Sequence, residues 1–324
     1  MNKGLGHQPS GAQTSPPISA DAVFQIDLTG KRNRRTSERL VRWFLFACGT
    51  LSIVTTVGIV LVLFIEAVQF FLNVSLFEFA TGTEWTALFA EPSFGVLPLA
   101  AGTLVISAIA MVVAVPLGLM SAIYLSEYAH ESVRSVLKPI LEILAGIPTI
   151  VYGYFALTFI TPNLLKPIFD VGPYNALSAG VAVGIMILPM VASLSEDAMR
   201  AVPGTIREAA YALGGTKLEV STRVIVPAAL SGIVASFILA TSRAIGETMI
   251  VSIASGSRPQ WTANAREEMQ AMTGYVVQVV SGDVVEGTVR YNSLYAVGAL
   301  LFLMTLAMNI ISRSFVTRFR EVYQ

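Results

Sequence analysis

Residues 203–227 read P-G-T-I-R-E-A-A-Y-A-L-G-G-T-K-L-E-V-S-T-R-V-I-V-P. Thr205 followed by Glu208, and Thr216 followed by Glu219, each have the spacing of a capping box. Gly214 and Gly215 stand between them as a stop, because glycine takes the left-handed conformation that ends a helix without steric penalty. The spacing predicts two short helices meeting at a glycine elbow, the first over 206–213 and about 12 Å long. Ala209, Ala210 and Ala212 give that helix a small-residue surface suited to insertion into a groove on another protein. Capping and helix propensity account for the same residues without any partner.

Outward from this polar loop the chain is apolar. Of its 324 residues 54% are hydrophobic and 13% charged, and the mean hydropathy is +0.67. The apolar share exceeds, and the charged share falls below, those of an average soluble domain. Six stretches, 43–72, 97–125, 136–160, 175–194, 228–255 and 293–314, are each long enough to cross about 30 Å of hydrocarbon at about 1.5 Å per residue. Seven Lys and Arg precede the first stretch, two lie in 126–138, four in 195–226 and three at the C-terminal end. The alternate loops carry none in 73–96, Lys166 alone in 161–174, and Arg258, Arg266 and Arg290 in 256–292. The positive-inside rule then places both termini in the cytoplasm.

The sequence therefore predicts an all-α polytopic membrane protein with six transmembrane helices. Its membrane domain covers 41–324, with a cytoplasmic loop over about 195–226 and an outer loop over about 256–292. Residues 267–281 carry an apolar face, Met269, Met272, Tyr275, Val276 and Val279. They are too short for a seventh crossing and predict a helix lying at the outer interface or dipping into it, with an ordinary packed loop helix as the alternative. Residues 1–40 are polar, rich in Pro, Ser, Gly and Gln, and end in Lys31, Arg32, Arg34 and Arg35. This composition predicts a disordered cytoplasmic tail whose basic cluster sets topology and contacts anionic lipid. The apolar run after it is too long for a cleavable leader and reads as an anchor.

Charge balance excludes little else, since 21 Lys and Arg match 21 Asp and Glu, but it points to no nucleic-acid partner. One Cys and two His leave no disulfide and no metal cluster. No glycine loop ends in Gly-Lys-Ser/Thr, so the chain lacks that route to ATP.

Arg243 and Glu247 sit inside the apolar stretch 227–256. A charge near the bilayer centre costs roughly 2.5–3.5 kcal/mol even on lenient scales, so such residues face a protein interior or a polar pathway. Four residues apart, they share a helix face, where they can neutralise each other or leave the guanidinium free for an oxyanion. Ser236, Ala240, Arg243, Glu247 and Ala254 fall near one stripe, as a pathway or a close helix contact requires. In the third stretch, Gly146-Ile147-Pro148 interrupts the helix, and Thr149 and Tyr152 offer hydroxyls to a cavity or to ordinary interhelical bonds.

Glu208-Ala209-Ala210, Gly214 and Val224-Ile225-Val226-Pro227 resemble the E-A-A, G, I-x-L-P signature of ABC-importer permeases, with Val for the usual Ile and Leu. Residues 145–153, A-G-I-P-T-I-V-Y-G, the run 243–249, R-A-I-G-E-T-M, and 269–273, M-Q-A-M-T, narrow the resemblance to the phosphate-specific, PstC-type branch. It covers residues 43 to the C-terminus and leaves the tail aside. The resemblance implies an ABC-importer permease fold and an inner-membrane subunit that moves inorganic phosphate. Docking on a cytoplasmic ATPase then falls to Glu208, Ala209, Ala210 and Gly214. It also implies a homologous second permease (PstA type), two ATPase subunits (PstB type) that bind ATP and Mg, and a soluble phosphate-binding protein (PstS type) in a bacterial cytoplasmic membrane. The substrate path implied runs by Arg243, Glu247, Thr149 and Tyr152, with an Arg fork meeting two oxygens and Glu247 accepting from hydrogen phosphate. Sulfate or molybdate satisfies the same Arg geometry. A membrane hydrolase with Glu247 as base lacks the second carboxylate, metal or nucleophile it needs.

Overall fold

The computed structural model describes residues 33–282 and 284–319. The expectations for residues 1–32 and 320–324 lie outside them. Among the described residues the secondary structure is helical, apart from an isolated bridge between Trp85 and Phe94. They fall into two compact units, one ending at Gly58 and one beginning at Ile59. In the first unit lies the start of α1 (Asn33–Phe71), with Trp43, Phe44, Leu45, Phe46 and Ile53 all exposed. A helix apolar and exposed all round is suited to hydrocarbon, where the helix satisfies its own backbone.

In the second unit the end of α1 packs with α2 (Leu76–Thr81) into an aromatic cluster. Phe70 meets Phe94 edge-on at 5.2 Å, and Trp85 meets Tyr275 at 4.9 Å, the geometry that ring quadrupoles favour. α3 (Leu97–Ile123) runs on through a π-helical turn, Tyr124–Tyr128, to α4 (Glu131–Ala145). Then follow α5 (Thr149–Phe155), a π-helical stretch Ala156–Leu165, α6 (Lys166–Phe169) and α7 (Ala176–Arg200). α3 and α7 form the centre, joined through buried Ala110, Ala114, Ala179, Ala182 and Val183. A side chain at Gly184 would lie 2.8 Å from Val113 Cβ and 2.9 Å from the Ala110 carbonyl, so only glycine permits this approach.

Four helical stretches, Glu38–Phe71, Leu97–Tyr128, Ala176–Arg200 and Val289–Ile311, are long and apolar enough to cross a bilayer. The count reaches six if each of two bent pairs is one span. The first pair, Glu131–Ala145 and Thr149–Phe169, bends by 86°. The expected 136–160 span is therefore two helices, broken at the expected interruption, Gly146-Ile147-Pro148. Pro148 cannot donate to the preceding turn and disfavours a helical residue before it, so the chain turns there. α4 buries no residue, whereas Ala156, Ile160, Thr161 and Leu165 beyond the turn are buried.

The second pair, Lys217–Ala228 and Leu230–Ile245, bends by 71°. It follows α8 (Gly204–Ala212) and comprises α9 (Lys217–Val220), α10 (Val226–Ala228) and α11 (Leu230–Ile245). After a break at 246–248 comes α12 (Met249–Ala254), so the expected 228–255 span is interrupted twice. α7 also outruns its expected end at 194 and continues to Arg200, which moves the start of the polar loop to residue 201.

In the outer segment the helix is α13 (Met272–Ser281), with α14 (Val289–Phe319) closing the described chain. Met269, Gln270 and Ala271 are buried but extended: the Met269 amide donates to the Ser255 carbonyl and that of Gln270 to the Arg258 carbonyl. These loop bonds override the helix propensity of Glu267 and Glu268. Nor does α13 rest on a surface. Met272 donates its amide to Thr103 Oγ1 at 3.0 Å, and the buried Tyr275 hydroxyl lies 2.6 Å from Ser293 Oγ.

Candidate functional site

Arg243 occupies the last turn of α11 and lines an open groove of about 360 Å³. Leu141 and Glu142 of α4 and Met186, Pro189 and Ser193 of α7 line it too. The guanidinium Nε approaches Met186 Sδ at 3.4 Å and, among the described residues, forms no ion pair. A cation at the edge of an apolar groove with so weak a partner keeps its fork free for an anion.

Glu247 does not share a helix with Arg243, because α11 ends at Ile245. Its carboxylate Oε1 accepts from the amides of Met249 at 3.2 Å and Ile250 at 3.4 Å, which caps α12. Its carbonyl accepts the Thr273 hydroxyl at 2.7 Å, tying the break to α13. With 8% of its surface exposed, Glu247 is committed to this junction and does not line the Arg243 groove. Ser236 and Ala240 are buried, Ser236 Oγ lying 2.8 Å from Ser195 Oγ, so that part of the stripe is a close contact with α7. Tyr152 donates its hydroxyl to the Leu144 carbonyl at 2.8 Å, which ties α5 to the end of α4. Thr149 begins α5, half-buried, and neither it nor Tyr152 lines the groove.

On the loop, α8 and α9 meet at Gly214, whose φ of +82° lies in the left-handed region. The Thr216–Glu219 capping box is present. Backbone and hydroxyl hydrogen bonds from Thr216 hold the Glu219 carboxyl below its usual range. The Thr205–Glu208 box is absent. α8 starts at Gly204 with Pro203 as its N-cap, which places Thr205 inside the helix. Glu208 and Ala209 face outward, Ala210 packs against the cluster of Met199, Val220 and Ile225, and Leu213 is 91% exposed.

Three features here have partners too far away in sequence to read from spacing. Arg207 donates to the carbonyls of Val202 at 2.8 Å and Met199 at 2.7 Å, and to Glu127 Oε1 at 3.2 Å, fastening α8 beneath α7. Lys217 lies 5.0 Å over the Tyr128 ring, a second tie to the same turn. Glu196, with a side chain 0% exposed, accepts Arg134 and Lys138 of α4 at 2.8 Å each. The local signals for this last site were Arg134 and Lys138, four apart on an amphipathic helix, and Glu196 with Arg200, four apart and 3.9 Å from each other. Among the described residues no group of three or more His, Cys, Asp or Glu is placed to hold a metal.

The chain is 30% identical to the probable ABC transporter permease protein YqgH of Bacillus subtilis over 88% of its own length and 92% of the relative's. It is 32% identical to the phosphate transport system permease protein PstC of Mesorhizobium japonicum, over 75% and 79% of the two chains. A probable PstC of Methanocaldococcus jannaschii is also 32% identical, over 71% and 79%. In fold it is similar to a chain of a bacterial alginate ABC transporter crystallised with an alginate-bound periplasmic protein, with a TM-score of 0.61, 15% identity and coverage of 87% and 96%. A chain of the inward-facing MetNI methionine ABC transporter gives a TM-score of 0.52 at 19% identity, covering 70% and 95%. Residues 114–321 match the family described as binding-protein-dependent transport system inner membrane component. With that match and these relatives, the chain belongs to the family of inner-membrane permease components of binding-protein-dependent transporters.

Proposed function

We propose that this transport subunit, which is not itself an enzyme, is the PstC-type permease of an ATP-driven phosphate importer in the cytoplasmic membrane of a bacterium. The observation that carries the reading is the Arg243 guanidinium, free of any ion pair among the described residues, at an open groove between α4, α7 and α11. Its planar fork matches two oxygens of a tetrahedral oxyanion. The relatives named as phosphate permeases support phosphate over sulfate or molybdate. Glu247 and Tyr152 serve the path by position, holding the broken helices near Arg243, and Thr149 starts the helix that carries Tyr152. A second permease of PstA type completes the path, and a soluble binding protein of PstS type delivers the anion. Two ATPases of PstB type bind ATP and Mg and dock on the loop of Glu208, Ala209, Ala210 and Gly214, with Leu213 as the apolar tip.

Arg243→Lys tests the contact. It keeps the charge and loses the fork; a hydrogen bond to a charged group contributes about 1.5–3 kcal/mol, so phosphate uptake at matched membrane abundance should fall about 10–100-fold. Because the two residues do not pair, the exchange Arg243→Glu with Glu247→Arg should recover nothing. Undiminished uptake by Arg243→Lys, or rescue by the exchanged pair, would remove Arg243 from the path.

A further inference from the structure

Glu142 lines the same groove as Arg243, yet it comes from α4, on the far side of the bend at Gly146 to Pro148. Its carboxylate forms no hydrogen bond or ion pair among the described residues, and Arg243 has only the Met186 sulfur. Apart from Ser193, the rest of the lining is apolar. Two opposite charges thus face one apolar space without pairing with each other, and α7 holds α4 in place through Glu196 with Arg134 and Lys138.

Resting on the reading that Arg243 meets the oxyanion, we propose that Glu142 is a specificity-determining residue, accepting the hydrogen of a P–OH group while Arg243 holds the anionic oxygens. An ionised carboxylate only accepts hydrogen bonds. Phosphate carries at least one P–OH near neutral pH and satisfies both side chains. Sulfate is fully deprotonated, offers Glu142 nothing to accept, and brings negative charge against it. Discrimination then comes from an unpaired, repelled group in the wrong complex as much as from a bond in the right one. The permease itself would select oxyanions that retain a proton, in addition to any choice made by the delivering protein.

The test uses the complete transporter in nanodiscs without the binding protein, measuring equilibrium binding of labelled phosphate and its competition by sulfate. Wild type should prefer phosphate; Glu142→Gln, whose amide can donate to sulfate, should lose at least about tenfold of that preference. Glu142→Asp should retain part of it, and Arg243→Gln should bind neither anion. If Glu142→Gln keeps the wild-type ratio while Arg243→Gln abolishes binding, the proposal is wrong and the Arg243 reading stands. If wild type binds neither anion, or Arg243→Gln binds both, the Arg243 reading falls and takes this proposal with it. Failure of Glu142→Gln to assemble would assign the carboxylate a structural role and overturn the proposal as well.

Discussion

Glu196 shows how a single carboxylate can hold two elements together. Its side chain is 0% exposed, while those of Arg134 and Lys138 are 17% and 24% exposed. Removing one partner of a buried pair costs about 3–5 kcal/mol because the remaining charge is left uncompensated. Here both cations keep some water, Arg134 keeps Glu131 and Lys138 keeps Asp197, so Glu196→Ala should destabilise the solubilised protein by no more than about 3 kcal/mol, the low end of that range. Asp197→Ala is the control: Asp197 is 55% exposed, and its contact with Lys138 should contribute about 0–1 kcal/mol. Thermal unfolding of the two variants in detergent checks this, and equal losses would contradict it. Arg243 was legible in the sequence because a charge within an apolar run is conspicuous. Glu196 was not: it sits at the polar end of such a run, and Arg134 lies 62 positions away. Glu142, Arg207 and Glu127 were hidden for the same reason, since their neighbours come from other elements.

The loop from α8 to α9 is the element that local sequence describes best. Capping residues and a glycine act over a few positions, so the elbow at Gly214 and the second capping box appear where spacing puts them. The first box failed because Pro203 starts α8 two residues earlier than a Thr205 cap requires. At Gly214 a Cβ would meet no atom within 4 Å, so a substitution there is opposed by its positive φ and not by crowding. A left-handed conformation costs an L-residue about 1–2 kcal/mol, and a β-branched one more. Gly214→Val should therefore swing α8 and Leu213 out of register. We expect phosphate-driven ATP hydrolysis to drop severalfold while folded permease stays in the membrane; normal coupling in that variant would contradict the docking role. Hydropathy, by contrast, located apolar stretches but not their bends. It reads composition over a window, whereas breaks act through single backbone groups: the one at Pro148 was legible from the proline itself, and those at 229 and 246–248 were not.

Across the second unit these pieces form one chain of contacts. The π-helical turn Tyr124–Tyr128 receives Arg207 and Lys217 from the loop. α4 follows it, is fastened to α7 by Glu196, and carries Glu142 to the groove of Arg243. A movement of α8 thus has a packed route to the groove, provided that a partner ATPase pushes on Leu213 and its neighbours. The family and its helical bundle were legible from the E-A-A loop and the apolar stretches, whereas the groove depends on three helices meeting and was not. The most direct test of phosphate import is ATP hydrolysis by the complete transporter in proteoliposomes, with its binding protein presented loaded with phosphate or, as a counterpart, with sulfate. The account predicts stimulation, with phosphate uptake, by the phosphate-loaded protein and none by the sulfate-loaded one. Equal stimulation by both, or stimulation by sulfate alone, would contradict it.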